Sequence, residues 1–154
     1  MEPDTAGGDR MTAEEYLQSI RDMTYKIAVL EQKRDKIAID MIPSRAITYD
    51  DLRVQTSPKG DALENTAISI AAEVERIDTQ IRKTRDTLFK RSGDALEKIM
   101  LLKEGQCRRF LVDYYIHCES ITHITREYGF ANKRTTHNLK MRAVKYFETV
   151  DKKS

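Results

Sequence analysis

The sequence predicts an all-α protein, a long antiparallel helical (coiled-coil) hairpin followed by a small C-terminal domain of short helices. Three observations predict this class. Two long segments carry apolar residues at alternating steps of three and four, the spacing of a helical seam. Each segment begins with a helix-capping signature. Charged residues make up 34% of the 154 residues, whereas glycine and proline are few, and this composition favours long exposed helices over a large core.

The first helix is predicted at residues 12–42, after a disordered tail at residues 1–11 in which Met11 is an alternative start. Thr12-Ala13-Glu14-Glu15 has the pattern of a capping box. Pro43 ends the helix because proline disfavours helical geometry in the residue before it. The seam of this helix is apolar except at Arg34, and its positions are Tyr16, Ile20, Met23, Ile27, Leu30, Arg34, Ile37 and Met41.

A connector at residues 43–60, with two prolines and a glycine, leads to a second helix predicted at residues 62–102. Its main seam passes through Gly93, and glycine inside a helix costs only about 1 kcal/mol. One continuous helix is therefore expected; the alternative is a break, with Ser92 or Asp94 capping a new helix. The seam positions are Ala67, Val74, Ile81, Leu88, Ala95 and Leu102.

The apolar seams allow two arrangements of the region 12–103. They can close the hairpin on itself within one chain, or they can join two chains through helices 12–42 and 62–102. The sequence does not decide between them, and we favour self-association as a homo-dimer.

Residues 104–150 are predicted to form a compact domain of three short helices, with residues 151–154 as a tail. The helices cover residues 106–117, 120–128 and 132–147. The residues at helical spacing, expected to form a local core, are Phe110, Leu111, Tyr114, Ile116, Ile121, Ile124, Tyr128, Leu139, Ala143 and Phe147.

The last of these helices is basic and follows a turn at Gly129. Residues 132–146 read NKRTTHNLKMRAVKY, with five Lys or Arg and no Asp or Glu. From Gly105 onward the chain holds ten basic and five acidic residues, while the preceding part is slightly acidic. A short helix, a glycine turn and a basic helix have the order of a helix-turn-helix, which lays its second helix in the DNA major groove. Double-stranded DNA is therefore the predicted partner.

With Leu139 and Ala143 facing inward, the polar residues of the basic helix face outward. Arg134 and Asn138, four residues apart, suit guanine and adenine edges. Phosphate contacts are predicted for the lysines and the second arginine, and Ser120 adds a contact from the preceding helix. The predicted DNA-binding residues are Ser120, Lys133, Arg134, His137, Asn138, Lys140, Arg142 and Lys145. The competing interpretation is a solvated basic face without a ligand.

Three stretches of the chain carry a resemblance to a protein family. They are MTAEEYLQSIRDM, RVQTSPKGD and LVDYYIHCESITHITREYGF, in this order. The chain resembles an uncharacterised family of small phage and prophage proteins of Gram-positive bacteria, whose C-terminal helix-turn-helix is similar to sigma-factor region 4. ArpU/RinA-type late-gene regulators are similar in this domain. The resemblance covers nearly the whole chain after Met11 and implies a phage transcriptional regulator that can also contact RNA polymerase.

The sequence departs from the helix-turn-helix pattern at two positions. Thr125 stands where a small alanine is usual, and Thr136 stands where an aliphatic residue is usual, three residues before Leu139. The turn also has one extra residue. The start of the second helix and the identity of its base-reading residues therefore stay open.

Other function classes are less well supported. The cysteines and histidines match no common zinc spacing, and no phosphate loop or nucleophile triad is present, so we expect no enzyme, no metal and no cofactor. The absence of a long apolar run or a leader pattern predicts a cytoplasmic protein without a membrane partner. The alternatives that remain are a coiled-coil protein-interaction adaptor and a small-terminase-like DNA packaging protein.

Overall fold

The computed structural model describes residues 11–40 and 57–153. The predicted tail before Met11 and the connector up to residue 56 lie outside this part. All elements within it are helical, which confirms the all-α class. A π-helical turn, Val112–Ile116, directly follows the third helix. The helices are α1 (Ala13–Asp40), α2 (Ser57–Ile99), α3 (Gly105–Leu111), α4 (Ile121–Glu127) and α5 (Lys133–Lys153). None of the helices in these ranges combines the length and the apolar character that crossing a membrane requires.

The two long helices follow their local sequence signals in part. Helix α2 ends at Ile99, three residues before its predicted end at 102, and the predicted end of the first helix at 42 lies outside the described residues. The Thr12 N–H donates to Glu15 Oε1 at 3.0 Å and the Glu15 N–H donates to Thr12 Oγ1 at 3.1 Å, which confirms the capping box. Helix α2 is continuous through Gly93, as its seam predicts. It starts at Ser57 and not at residue 62, because Pro58 falls in the first turn, where its missing N–H breaks no helical bond.

The chain divides into two compact units, one made of the residues up to Tyr25 and from Thr87 onward, the other of Lys26–Asp86. This division differs from the boundary predicted between residues 103 and 104. The first unit joins the start of α1 and the end of α2 to the short helices through one core. Its fully buried members are Leu17, Ile20, Ala95, Ile99, Phe110, Leu111, Cys107, Tyr115, Ile124, Ala143 and Phe147.

In the unit formed by residues 26–86, charged pairs join α1 to α2. Arg34, the polar interruption of the predicted seam, donates to Asp78 Oδ1 at 3.1 Å. Arg85 of α2 pairs with Glu31 of α1. The seam residues Ile27 and Ile81 are buried in this single chain, and so is Ile77 of α2, whereas the seam residue Ala67 is exposed. Contacts within one molecule thus cover only part of the predicted apolar seam.

Arg21 fixes the chain segment that leads into α4. Its guanidinium donates to the backbone oxygens of Tyr114 at 2.5 Å and Glu119 at 3.1 Å, and it lies 4.0 Å from the centre of the Tyr114 ring. Tyr115, next in the π-helical turn, is fully buried, and burial raises the pKa of its hydroxyl. The sequence predicts both tyrosines as core residues, whereas Tyr114 is only half-buried and packs against the core.

Candidate nucleic-acid interface

The turn after α4 has the hydrogen bonds of a Schellman motif. The Gly129 N–H donates to Arg126 O at 3.1 Å and the Phe130 N–H donates to Thr125 O at 3.0 Å. Gly129 has φ +74°, a left-handed conformation that a side chain disfavours. This turn ends α4 at Glu127 and redirects the chain before α5 begins at Lys133.

The start of α5 is set by Asn132. Its Oδ1 accepts a hydrogen bond from the Thr135 N–H at 3.2 Å, so its side chain caps the helix whose first residue is Lys133. The sequence leaves this start open, and the cap fixes it one residue after the predicted start at 132. The helix then continues to Lys153, beyond the predicted end at 147 and into the predicted tail, and Asp151 pairs with Lys98 of α2.

Both departures from the helix-turn-helix pattern lie where α4 meets α5. Thr125 Oγ1 is 2.6 Å from Thr136 Oγ1, and Thr136 is fully buried. Because Thr125 also donates to the Ile121 backbone oxygen at 2.7 Å, its only proton is used, and Thr136 is the donor to Thr125. A hydrogen bond thus replaces the apolar contact that an alanine and an aliphatic residue would make.

The buried residues of α5 show which of its residues lie on the opposite, exposed face. Thr136, Leu139, Ala143 and Phe147 are buried, at steps of three and four. Residues turn by about 100° each along a helix, so the opposite face carries Arg134, Asn138, Met141 and Lys145. All four are exposed, which agrees with the sequence prediction for Arg134, Asn138 and Lys145.

The first two turns of α5 carry the predicted contact residues that are free to meet a ligand. These are Lys133, Arg134, His137 and Asn138, and all four are exposed. Within residues 11–40 and 57–153, none of them takes part in an ion pair. A helix in the major groove contacts bases chiefly through its N-terminal residues, so these four are well placed along the helix for that role.

Three further predicted residues make contacts inside the protein. Lys140 is half-buried, with its Nζ 5.0 Å from the Tyr114 ring centre. Arg142 pairs with Glu104, at 3.3 Å from Nε and 3.4 Å from Nη2. The Ser120 hydroxyl accepts the His123 N–H at 3.0 Å and caps α4. The sequence predicts all three as phosphate contacts. Helical periodicity cannot reveal the contacts with Tyr114 and Glu104, because these residues lie on other segments of the chain.

The second half of the outer face is less basic than the sequence implies. Lys145 and Met141 line a groove of 270 Å³ whose other members include Glu14 and Glu148. Lys140 lines the same groove, so its two lysines are balanced by two carboxylates. Met141, at 71% exposure, is a candidate contact that the sequence analysis does not name, although its position seven residues after Arg134 places it on the same face.

The Glu104 carboxylate, just before α3, links the start of α3 to α5. It accepts a hydrogen bond from Cys107 Sγ at 3.0 Å in addition to its contact with Arg142, and these two donors lower the pKa of Glu104. Burial, followed by the neighbouring carboxylate, raises the pKa of the Cys107 thiol to about 11. Within the part of the chain that the structure describes, no three His, Cys, Asp or Glu side chains are grouped to hold a metal ion.

Comparison with known proteins adds no relative. The chain matches no protein-family model, no curated protein and no solved structure.

Proposed function

We propose that this protein binds double-stranded DNA, with α4 and α5 acting as a helix-turn-helix and α5 lying in the major groove. The observation that carries the proposal is the first half of α5. There, Arg134 and Asn138 are exposed and directed away from the core, directly after a tight turn, and neither has a side-chain partner in the part of the chain that the structure describes. Asparagine and arginine side chains at this spacing match the edges of adenine and guanine.

The contacts divide into two groups along α5. Arg134 and Asn138 read base edges, and Met141 provides an apolar surface for a thymine methyl group. Lys133 binds phosphate at the N-terminal end, where the helix dipole adds to its charge. His137 lies beside these residues on an exposed position. Lys140 and Arg142 serve mainly to hold the helices together, since each already has a partner on another part of the chain. Ser120 serves mainly as the cap of α4.

The biological role is a proposal that rests on the family resemblance. We infer that the chain is a phage or prophage transcriptional regulator, of late genes in particular, working in the cytoplasm of its bacterial host at the nucleoid. In this role α1 and α2 form an antiparallel hairpin that carries the DNA-binding domain, and RNA polymerase is a further partner. The charged pairs Arg34–Asp78 and Arg85–Glu31, which join the two helices in reverse sequence order, support the hairpin.

Selection of duplexes from a random library, followed by fluorescence anisotropy at physiological salt, tests DNA binding. We expect an enriched sequence, and we expect Arg134→Ala to weaken its binding about 10- to 100-fold, since a bidentate base contact is worth about 1–3 kcal/mol. Arg82→Ala is the matched control, because Arg82 is exposed in the other unit. The proposal fails if no duplex is enriched, or if the two variants bind equally well.

A protein-interaction adaptor is the second candidate function. The observation that favours it is a row of exposed apolar side chains on α2, which includes Phe89 at 81% exposure. This row lies on α2, so a partner bound to it is compatible with DNA binding by α5.

A further inference from the structure

The last three turns of α2 carry an apolar row that the protein leaves uncovered. Phe89 is 81% exposed, Leu96 is 37% exposed and Met100 is 66% exposed. Met100 still follows the helical path, because its N–H donates to Leu96 O at 2.9 Å. Together with Gly93, these residues are spaced by four, three and four. This is the spacing of one side of a two-helix interface, and we name it the outer stripe.

The outer stripe is distinct from the seam that the sequence reveals first. In the same stretch of α2, Ala95 and Ile99 are completely buried and belong to the core of the unit. In this stretch, the face of α2 that carries Ala95 is thus already buried within one chain. The outer stripe lies about a third of a turn away on the helix surface, and none of its three apolar residues belongs to the core or packs against it.

We propose that the outer stripe binds the outer stripe of a second copy of this chain, with the two α2 helices antiparallel. In that alignment Phe89 faces Met100 of the second copy, and Gly93 faces its Leu96. Leu96 then meets Gly93, where an added Cβ would have no atom within 4 Å, while Phe89 meets the flexible side chain of Met100. A parallel alignment would instead set Gly93 against Gly93 and leave a gap between the helices.

Charge on the edge of the stripe favours the same alignment. Lys90 and Glu97 are both exposed, lie seven residues apart and flank the stripe on one side. Neither has an ion-pair partner among the described residues. Antiparallel packing brings Lys90 beside Glu97 of the second copy, and two-fold symmetry repeats the pair. The surface is therefore complementary to itself in shape and in charge.

This interface goes beyond DNA binding and does not depend on it. A two-fold dimer presents two copies of α5, and paired half-sites on DNA are read by dimers of this kind. The dimer is measured without DNA, so its failure and a failure of DNA binding are separate results.

Sedimentation equilibrium of the full chain, without DNA, tests the interface by charge reversal. Lys90→Glu sets two glutamates against each other, and Glu97→Lys sets two lysines against each other. We expect each single variant to weaken the dimer about tenfold or more, which corresponds to about 1.4 kcal/mol. An equimolar mixture of the two variants should associate as a heterodimer, and the double variant should recover the wild-type affinity, because both restore opposite charges. Glu75→Lys, at another exposed position of α2, is the matched control.

Phe89→Lys provides an independent measurement on the apolar part. Phe89 is so exposed that its replacement leaves the core intact, and circular dichroism checks that the helix content is unchanged. We expect this variant to be monomeric where the wild type is dimeric. The proposal is overturned by a monomeric wild type at high micromolar concentration, by a Phe89→Lys dimer of wild-type affinity, or by a mixture of charge variants that does not associate. A stripe that binds only an unrelated protein also overturns it.

Discussion

Thr125 and Thr136, the two residues at which the chain departs from the helix-turn-helix pattern, are hydrogen-bonded to each other at 2.6 Å. Thr136 is fully buried, whereas Thr125 is partly exposed and also donates to Ile121 O. The two hydroxyls therefore differ in how much each depends on the other. Removal of the Thr125 hydroxyl deprives a buried donor of its acceptor, while removal of the Thr136 hydroxyl leaves Thr125 with its backbone bond.

We expect Thr125→Val to destabilise the protein by about 1–3 kcal/mol, because it leaves the Thr136 hydroxyl buried without an acceptor. Thr136→Val should cost less, about 1 kcal/mol or below, since no donor is left without a partner. The double variant should cost clearly less than the sum of the two. Urea unfolding measures all three free energies. Equal costs that simply add would show that the hydroxyl pair makes no contribution.

Most of the fold could be predicted from the sequence because the ends and the buried faces of helices depend on residues that are close in sequence. The capping box at Thr12, the seam through Gly93 and the inward row from Leu139 to Phe147 all depend on residues within a few turns of one another. The division into units could not be predicted. It depends on packing of the first turns of α1 against helices about a hundred residues later, a contact without a sequence period.

Gly129 is expected to be required for its conformation alone. Its φ is +74°, and a Cβ there would meet no atom within 4 Å. Gly129→Ala should therefore destabilise the protein by about 1–2 kcal/mol, the cost of a left-handed alanine. Gly129→Asn is the control, because asparagine tolerates this conformation and should cost distinctly less. Thermal unfolding of both variants provides the comparison, and equal losses would show that the left-handed backbone conformation is not what limits the position.

The candidate site was only half predictable, for a related reason. Helical periodicity identifies which residues of α5 face away from Leu139 and Ala143. It does not reveal that Glu104 comes back to meet Arg142, or that Tyr114 lies under Lys140. The glycine turn and the run of basic residues are local signals and were visible. The partners that engage Arg142 and Lys140 are distant from them in sequence.

Cys107 is expected to resist thiol reagents until the protein opens. Burial and Glu104 raise the pKa of this thiol to about 11, so almost none of it is thiolate at pH 8. Cys118, which is only partly buried, should be labelled first. Labelling with iodoacetamide, followed by mass spectrometry of the two peptides, measures the order. Rapid modification of Cys107 in the folded protein would contradict this expectation.

The same raised pKa has a consequence for stability at high pH. A thiol whose pKa is higher in the folded state than the ordinary value of 9.0 binds its proton more tightly when folded. Its contribution is complete below pH 9 and is lost as the pH rises toward 11. The free energy of unfolding should therefore fall over this window in the wild type and fall less in Cys107→Ala. Parallel curves for the two proteins would assign the loss to other groups.

In the proposed DNA interface, Lys133 should contribute more than Arg142 to the salt dependence of binding. Lys133 is exposed and without an ion-pair partner among the described residues, whereas Arg142 is held by Glu104. For the duplex found by selection, Lys133→Ala should reduce the slope of log affinity against log salt by about one, because one counterion fewer is released. Arg142→Ala should change this slope much less, and Glu104→Gln, which releases the arginine, should increase it. If Arg142→Ala lowers the slope as much as Lys133→Ala, the ion pair opens when DNA binds and Arg142 is a phosphate contact after all.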